Sequence, residues 1–180
     1  SKGYVREIQT PDYGWGLEGV LRERADALFG ILNGVDYGEW SPETDRYIPA
    51  CYSADDLSGK QVCKRALQQR FGLPERDVPL FGVVSRMVSQ KGTDLLAEAI
   101  HRMLLLDIQL VVVGNGEPWA HFFFGGMAHR HPDKLGCFIG YDNALAHLVE
   151  AGSDFFLMPS AFEPGGLNQM SSLAYVTPPV

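Results

Sequence analysis

Two cations, Arg86 and Lys91, close an apolar run in VVSRMVSQKG. A guanidinium grips phosphate oxygens in a planar, bidentate manner, while an ammonium supplies a compact point charge. A second apolar run ends at Gly114, Asn115 and Gly116, a third is followed by Tyr141, and a fourth by AFEPGGL at 161–167. Gly165 and Gly166 precede a helical pattern, so backbone N–H groups there can face an anion or a sugar oxygen. The ring of Tyr141 suits stacking on a base with its hydroxyl left in water. Glu163 can accept hydrogen bonds from sugar hydroxyls. Taken singly, each has a plain alternative: solvated loop cations, a tyrosine capping the core, an ordinary Glu-Pro turn.

The elements between them decide where they stand. PLFGVVS, DIQLVVVG, LGCFIG and SDFFLMPS are short, continuous apolar runs that predict strands buried on both faces. TDLLAEAIHRML has helical spacing at Leu95, Leu96, Ala99, Ile100 and Met103, with Asp94 in its first turn. WAHFFFGGMAHRH, DNALAHLVEAG and LNQMSSLAY are the other predicted helices, the first weakened by Gly125 and Gly126, and PPV opens a fifth strand. Strands alternating with helices predict an α/β fold, a Rossmann-like parallel sheet joined by right-handed crossovers. Ligands of such open sheets bind beyond the carboxyl ends of the strands. Arg86, Lys91, the GNG turn, Tyr141, Glu163 and the paired glycines all fall on that rim. Base on the ring, diphosphate on the cations and sugar on the carboxylate together describe a nucleotide-diphosphate sugar.

Bulk properties narrow the field. Apolar residues make up 46% and charged residues 21%, as in ordinary globular chains, so disorder is not expected. A net charge of −7, from 15 bases against 22 acids, argues against nucleic acid or an anionic membrane as partner. Any bound anion must sit in a local pocket. Cys51, Cys63 and Cys137 lack CxxC spacing, which suggests a reducing compartment and neither disulfide framework nor zinc site. His129 and His131, with His121 nearby, read as a surface helix end, and no metal is expected there. No signal peptide or membrane-length apolar stretch is present. The chain starts without Met and stops in TPPV, and it reads as an excerpt.

VVSRMVSQKG, GNGEP, IGYDNALAH and LMPSAFEPGGLNQ resemble bacterial glycogen synthases and plant starch synthases, as do YVREIQTPDYGWGLEGVL and GILNGVDYGEWSPETD upstream. The resemblance runs in order over nearly the whole chain. It implies the C-terminal domain of a glycosyltransferase-B fold, incomplete at both ends, in which two Rossmann-like domains face across a cleft. It implies transfer of glucose from ADP-glucose to the non-reducing end of an α-1,4-glucan, with retention and without a metal or other cofactor. Arg86 and Lys91 match the pair that binds the donor diphosphate and stabilises the departing ADP. Glu163 matches the Glu of the Glu-Pro-x-Gly-Leu motif, which contacts the donor glucose. Gly166 and Leu167 match the backbone facing sugar and phosphate, Tyr141 the ring on adenine, and Asn33 a residue lining the cleft near the glucose.

Residues 1–32 correspond to the tail of the N-terminal domain, 33–52 to the crossing, and 53–180 to the truncated nucleotide-sugar-binding domain. The N-terminal donor loop, Lys-x-Gly-Gly-Leu, is absent, so the chain by itself is expected to be inactive. The resemblance also implies a cytoplasmic enzyme if bacterial, plastidic if from a plant.

Departures from the family pattern are Gly165 in place of the usual Cys, Val176 in place of Gly, and the aromatic FFFGG segment. That segment reads as a divergent surface helix, or as an exposed aromatic patch that binds protein. Sucrose synthases and other cousins commonly carry a second Glu where Ser171 stands. The readings left open are a non-catalytic nucleotide-binding or scaffold module, or another nucleotide-sugar transferase of this fold.

Overall fold

The computed structural model describes residues 1–180. Strands β1 (Leu80–Met87), β2 (Gln109–Gly116), β3 (Leu135–Ile139) and β4 (Phe155–Phe156) form one parallel sheet in the order β3-β2-β1-β4. Helices α1 (Lys2–Glu7), α2 (Pro11–Gly14) and α3 (Glu18–Glu23) precede it, followed by α4 (Ser58–Arg70). Helices α5 (Thr93–Met103), α6 (Pro118–Arg130), α7 (Asn143–Gly152) and α8 (Leu167–Ala174) alternate with or follow the strands. No helix is long and apolar enough to cross a membrane.

Because side chains alternate along a strand, β2 feeds two cores. Leu110 and Val112 pack with Val83, Ile100, Phe124 and Met127 on the α5/α6 face. Val111 and Val113 pack with Leu67, Leu80, Leu145 and Val149 on the α4/α7 face. This two-sided burial is why the strands read as unbroken apolar runs.

Several expectations are corrected. β1 runs through Met87, so Arg86 is a strand residue, in register with Asn115 of β2, and not on a loop. Within SDFFLMPS only Phe155 and Phe156 are strand residues, although Asp154 N and Leu157 N also donate to β1 at Leu80 O and Gly82 O (both 2.8 Å), and the chain leaves the sheet before Pro159, which has no N–H to donate. The expected fifth strand is a single parallel bridge, Phe156 to Pro179, flanked by hydrogen bonds between residues 156–158 and 178–180. FFFGG is no aromatic patch: Phe124 is fully buried, Phe123 packs against the same core, and Phe122 alone is 83% exposed. Helix α6 carries Gly125 and Gly126 without interruption.

Helix α4 has no counterpart in the sequence reading, because Lys60, Lys64 and Gln68 share its inner face with Cys63 and Leu67 and break the apolar stripe. Lys64 Nζ donates to Asp154 Oδ2 (2.7 Å) and Val78 O (2.8 Å). Gln68 Nε2 donates to Gln109 Oε1 (2.8 Å). Lys60 Nζ donates to Ala151 O, Tyr175 O and Thr177 Oγ1, and burial lowers its pKa to about 8. Buried polar groups that are hydrogen-bonded can replace apolar ones on a packed face.

The segment before α4 is fastened to the sheet domain. Asp45 Oδ2 accepts from Tyr175 Oη (2.5 Å) and lies 2.8 Å from His147 Nδ1, and all three side chains are buried. Trp40 stacks on His147 with ring centroids 3.8 Å apart.

Candidate active site at the carboxyl ends of the strands

Two loops meet beyond β1 and β4. The first turns at Gly92, which has φ +68° and lies so close to Pro159 that a Cβ there would stand 2.0 Å from the Pro159 carbonyl oxygen. Only glycine meets both demands. Ala161 N donates to Gln90 O (3.0 Å), a second stitch between the loops. Their side chains close the seam: Lys91 Nζ lies 2.5 Å from Glu163 Oε1, and Ser160 Oγ donates to the same oxygen at 2.7 Å.

A cavity of about 330 Å³ opens over this seam, and Arg86, Lys91, Glu163, Gly166, Leu167 and Asn33 all line it. Gly166 adopts φ +59° as the N-cap of α8, so the first-turn N–H groups of that helix lie at the cavity wall. Asn33 comes from far upstream and presses on the loop, since a Cβ on Gly165 would lie 2.2 Å from Asn33 Nδ2. A larger residue at Gly165, such as the cysteine usual in the family, requires the exposed Asn33 side chain to move aside. Arg86 is exposed and donates from Nη2 to Gln90 Oε1 (3.0 Å).

A second cavity, about 290 Å³, adjoins the first and shares Val84, Ser85, Arg86 and Asn168 with it. Its outer wall is Gly114, Asn115, Gly140 and Tyr141. The Tyr141 ring is 79% exposed, and its hydroxyl donates to Asn143 Oδ1 (3.0 Å). All the residues singled out on the rim except Gly116 therefore line one of two joined cavities: Arg86, Lys91 and Glu163 the first, the exposed ring of Tyr141 the second. His121 Nε2 accepts from Gly116 N (3.0 Å) and is tied to the GNG turn.

Of the lining residues that escaped the sequence reading, Ser160, Asn168, Trp40 and Glu150 bear on the site. Ser160 supports Glu163, and Asn168 Nδ2 donates to Val84 O (2.9 Å), fixing α8 to β1. Ser160 stands three residues before Glu163, so its place in the turn was legible. Trp40 and Glu150 line the second cavity. Glu150 is a carboxyl on the apolar stripe of α7, which is a signal in itself. Burial, with Asp45 nearby, raises its pKa to about 8 despite a hydrogen bond from Ser171.

Open parallel sheets covered on both faces bind their ligands, often nucleotides, beyond the carboxyl ends of the strands, where both of these cavities lie. The model of the family "Glycosyl transferases group 1" matches residues 65–180. The chain belongs to that family, and its fold is the Rossmann-like half of a glycosyltransferase-B architecture. Over its whole length it is 67% identical to "Glycogen synthase 1" of Geobacter metallireducens and 56% identical to "Glycogen synthase" of Myxococcus xanthus. It spans 36% and 38% of those relatives. Among solved structures it is similar to the catalytic domain of starch synthase IV from Arabidopsis thaliana, bound to ADP and acarbose. That match has a TM-score of 0.91 and 39% identity, over 98% of this chain and 37% of the other.

Proposed function

We propose that this chain is the donor-binding part of a glucan synthase that transfers glucose from ADP-glucose to the non-reducing end of an α-1,4-glucan. The observation that carries the reading is the joining of the Arg86, Lys91 and Glu163 cavity to the one walled by Tyr141. A nucleotide sugar laid across them puts its base on Tyr141, its diphosphate on Arg86, Lys91 and the start of α8, and its sugar on Glu163 and Asn33. The relatives' names and the ADP and acarbose held by the starch synthase support that orientation and those partners.

The chemistry follows from where charge develops. As the bond from anomeric carbon to phosphate breaks, negative charge grows on the departing ADP. Arg86 and Lys91 supply the positive charge that meets it, Lys91 held at the seam by Glu163 and Arg86 resting on Gln90. Glu163 accepts hydrogen bonds from glucose hydroxyls and orients the sugar for attack by the glucan.

In this reading residues 1–32 are the tail of an N-terminal domain, 33–52 the crossing, and 53–180 the donor-binding domain. The acceptor meets the donor in the cleft between two such domains, where closure excludes water. The 180-residue chain, about a third of its relatives' length, therefore has negligible turnover alone. A bacterial parent, like the relatives named above, would work in the cytoplasm.

The test is glucose transfer to a glucan primer by the full-length protein, from ADP-glucose and from UDP-glucose. The reading expects turnover with ADP-glucose, and a loss of roughly 100-fold or more in Arg86→Ala and in Glu163→Gln. Unchanged turnover in either variant contradicts it, and so does robust turnover by the 180-residue chain alone.

A further inference from the structure

Glu150 is buried, 2% exposed, yet it lines the second cavity. Its Oε1 accepts from Ser171 Oγ (2.9 Å), and its Oε2 has no hydrogen-bond partner. A buried carboxyl with one oxygen unsatisfied is destabilising, and a fold that keeps one at a cavity wall invites a ligand to complete it. Neither Arg86 nor Lys91 is paired with it; their partners are Gln90 and Glu163.

We propose that Glu150 is a specificity-determining residue of the donor site, accepting hydrogen bonds from the ribose hydroxyls of the nucleotide. This rests on the donor-site reading above and adds a residue to it. Position selects the ribose. Ser171 Oγ also approaches Asn168 O at 3.3 Å, and Asn168 lines both cavities. The carboxyl is therefore linked through a single side chain, Ser171, to the wall that divides the diphosphate side from the nucleoside side. In a nucleoside diphosphate the group spanning that division is the ribose, since the base lies farther out on Tyr141. A vicinal diol offers O–H donors and no charge, which matches an acceptor buried without a cation. Burial favours the protonated carboxyl, and the protonated form still has the acceptor capacity to receive a hydroxyl.

The test measures affinity calorimetrically in the full-length protein for ADP, 2′,3′-dideoxy-ADP and IDP. Wild type is expected to bind ADP about tenfold more tightly than the dideoxy nucleotide. Glu150→Leu should lose most of that ratio by weakening ADP alone. Glu150→Gln, which keeps both the shape and an acceptor oxygen, should retain most of the ratio, and Glu150→Met serves if the leucine variant does not fold. A ratio unchanged in Glu150→Leu or Glu150→Met overturns the proposal, as does Glu150→Leu weakening both nucleotides equally. A variant that keeps the ribose ratio but loses preference for ADP over IDP assigns Glu150 to the base and also overturns it. If wild type and Arg86→Ala bind ADP equally, the donor-site reading itself has failed. ADP binding that depends on Arg86 but not on Glu150 sinks this inference alone.

Discussion

Lys91 and Glu163, 72 positions apart in the chain, form an ion pair at 2.5 Å across the seam between two loops. Both side chains are only about a fifth exposed, so water screens them less than a surface pair. The cation proposed for the diphosphate and the carboxylate proposed for the sugar thus hold each other before a donor arrives. Neither group has to be gathered in from solvent, but each must share its partner when ligand binds.

That sharing has a consequence for Glu163→Gln. Removing the carboxylate charge frees Lys91 for phosphate, so affinity for ADP, which has no sugar, should hold or rise up to about tenfold. Affinity for ADP-glucose should not follow. Calorimetry with both ligands checks this, and parallel losses for the two would contradict the assignment.

Gly165 is matched to Asn33. In Gly165→Cys the new side chain must displace the Asn33 amide, which is the flexible end of an exposed side chain. Thermal stability should change by under about 0.5 kcal/mol, as for surface changes. If Asn33 helps hold the sugar, KM for the donor should rise several-fold, and Asn33→Ala should mimic it. A change in stability of several kcal/mol would mean the loop, and not Asn33, yields.

Val176 has φ +54°, a conformation that a β-branched residue adopts only under strain. The family's usual glycine at this place is thereby explained, since glycine alone is unstrained there. Substitution by alanine keeps a Cβ in the left-handed region, while glycine removes it. Val176→Gly should therefore be more stable than Val176→Ala by about 1 kcal/mol, reversing the ordinary order. Denaturant unfolding of the two variants decides it.

Glu150 makes stability depend on pH. Its carboxyl is raised from 4.5 to about 8 by burial, with Asp45, Tyr52 and Tyr175 as the titratable groups facing it. Below pH 4.5 it is protonated in both folded and unfolded chains. Between 4.5 and about 8 the unfolded chain ionises it while the folded chain retains the proton, so its contribution to stability falls as pH rises. The slope from this group approaches about 1.4 kcal/mol per pH unit within that window and vanishes above it. Glu150→Gln should flatten the melting temperature between pH 5 and about 8 relative to wild type. An identical pH profile in the two proteins would show that Glu150 ionises normally.

The sheet was legible because its strands are buried on both faces and are apolar through their middles. The rim was legible because strand ends in a parallel sheet point to one side, whatever the loops do. Arg86, Lys91, Tyr141 and Glu163 could be placed from topology alone. Helix α4 was not legible, because Lys60, Lys64 and Gln68 face inward and find their acceptors on residues up to 117 positions away. Nor could sequence show that Lys91 and Glu163 pair, or that Asn33 presses on Gly165. Both depend on how closely two loops approach, which is set at Gly92 and Pro159.

The most direct test of the account compares ADP affinity in wild type, Arg86→Ala and Glu163→Gln by titration calorimetry. Arg86→Ala removes a charge-assisted phosphate contact and should weaken ADP by about 10- to 100-fold, while Glu163→Gln should not weaken it. Equal affinities for wild type and Arg86→Ala, or a comparable loss in both variants, would contradict the claim that these strand ends bind a nucleotide diphosphate through Arg86.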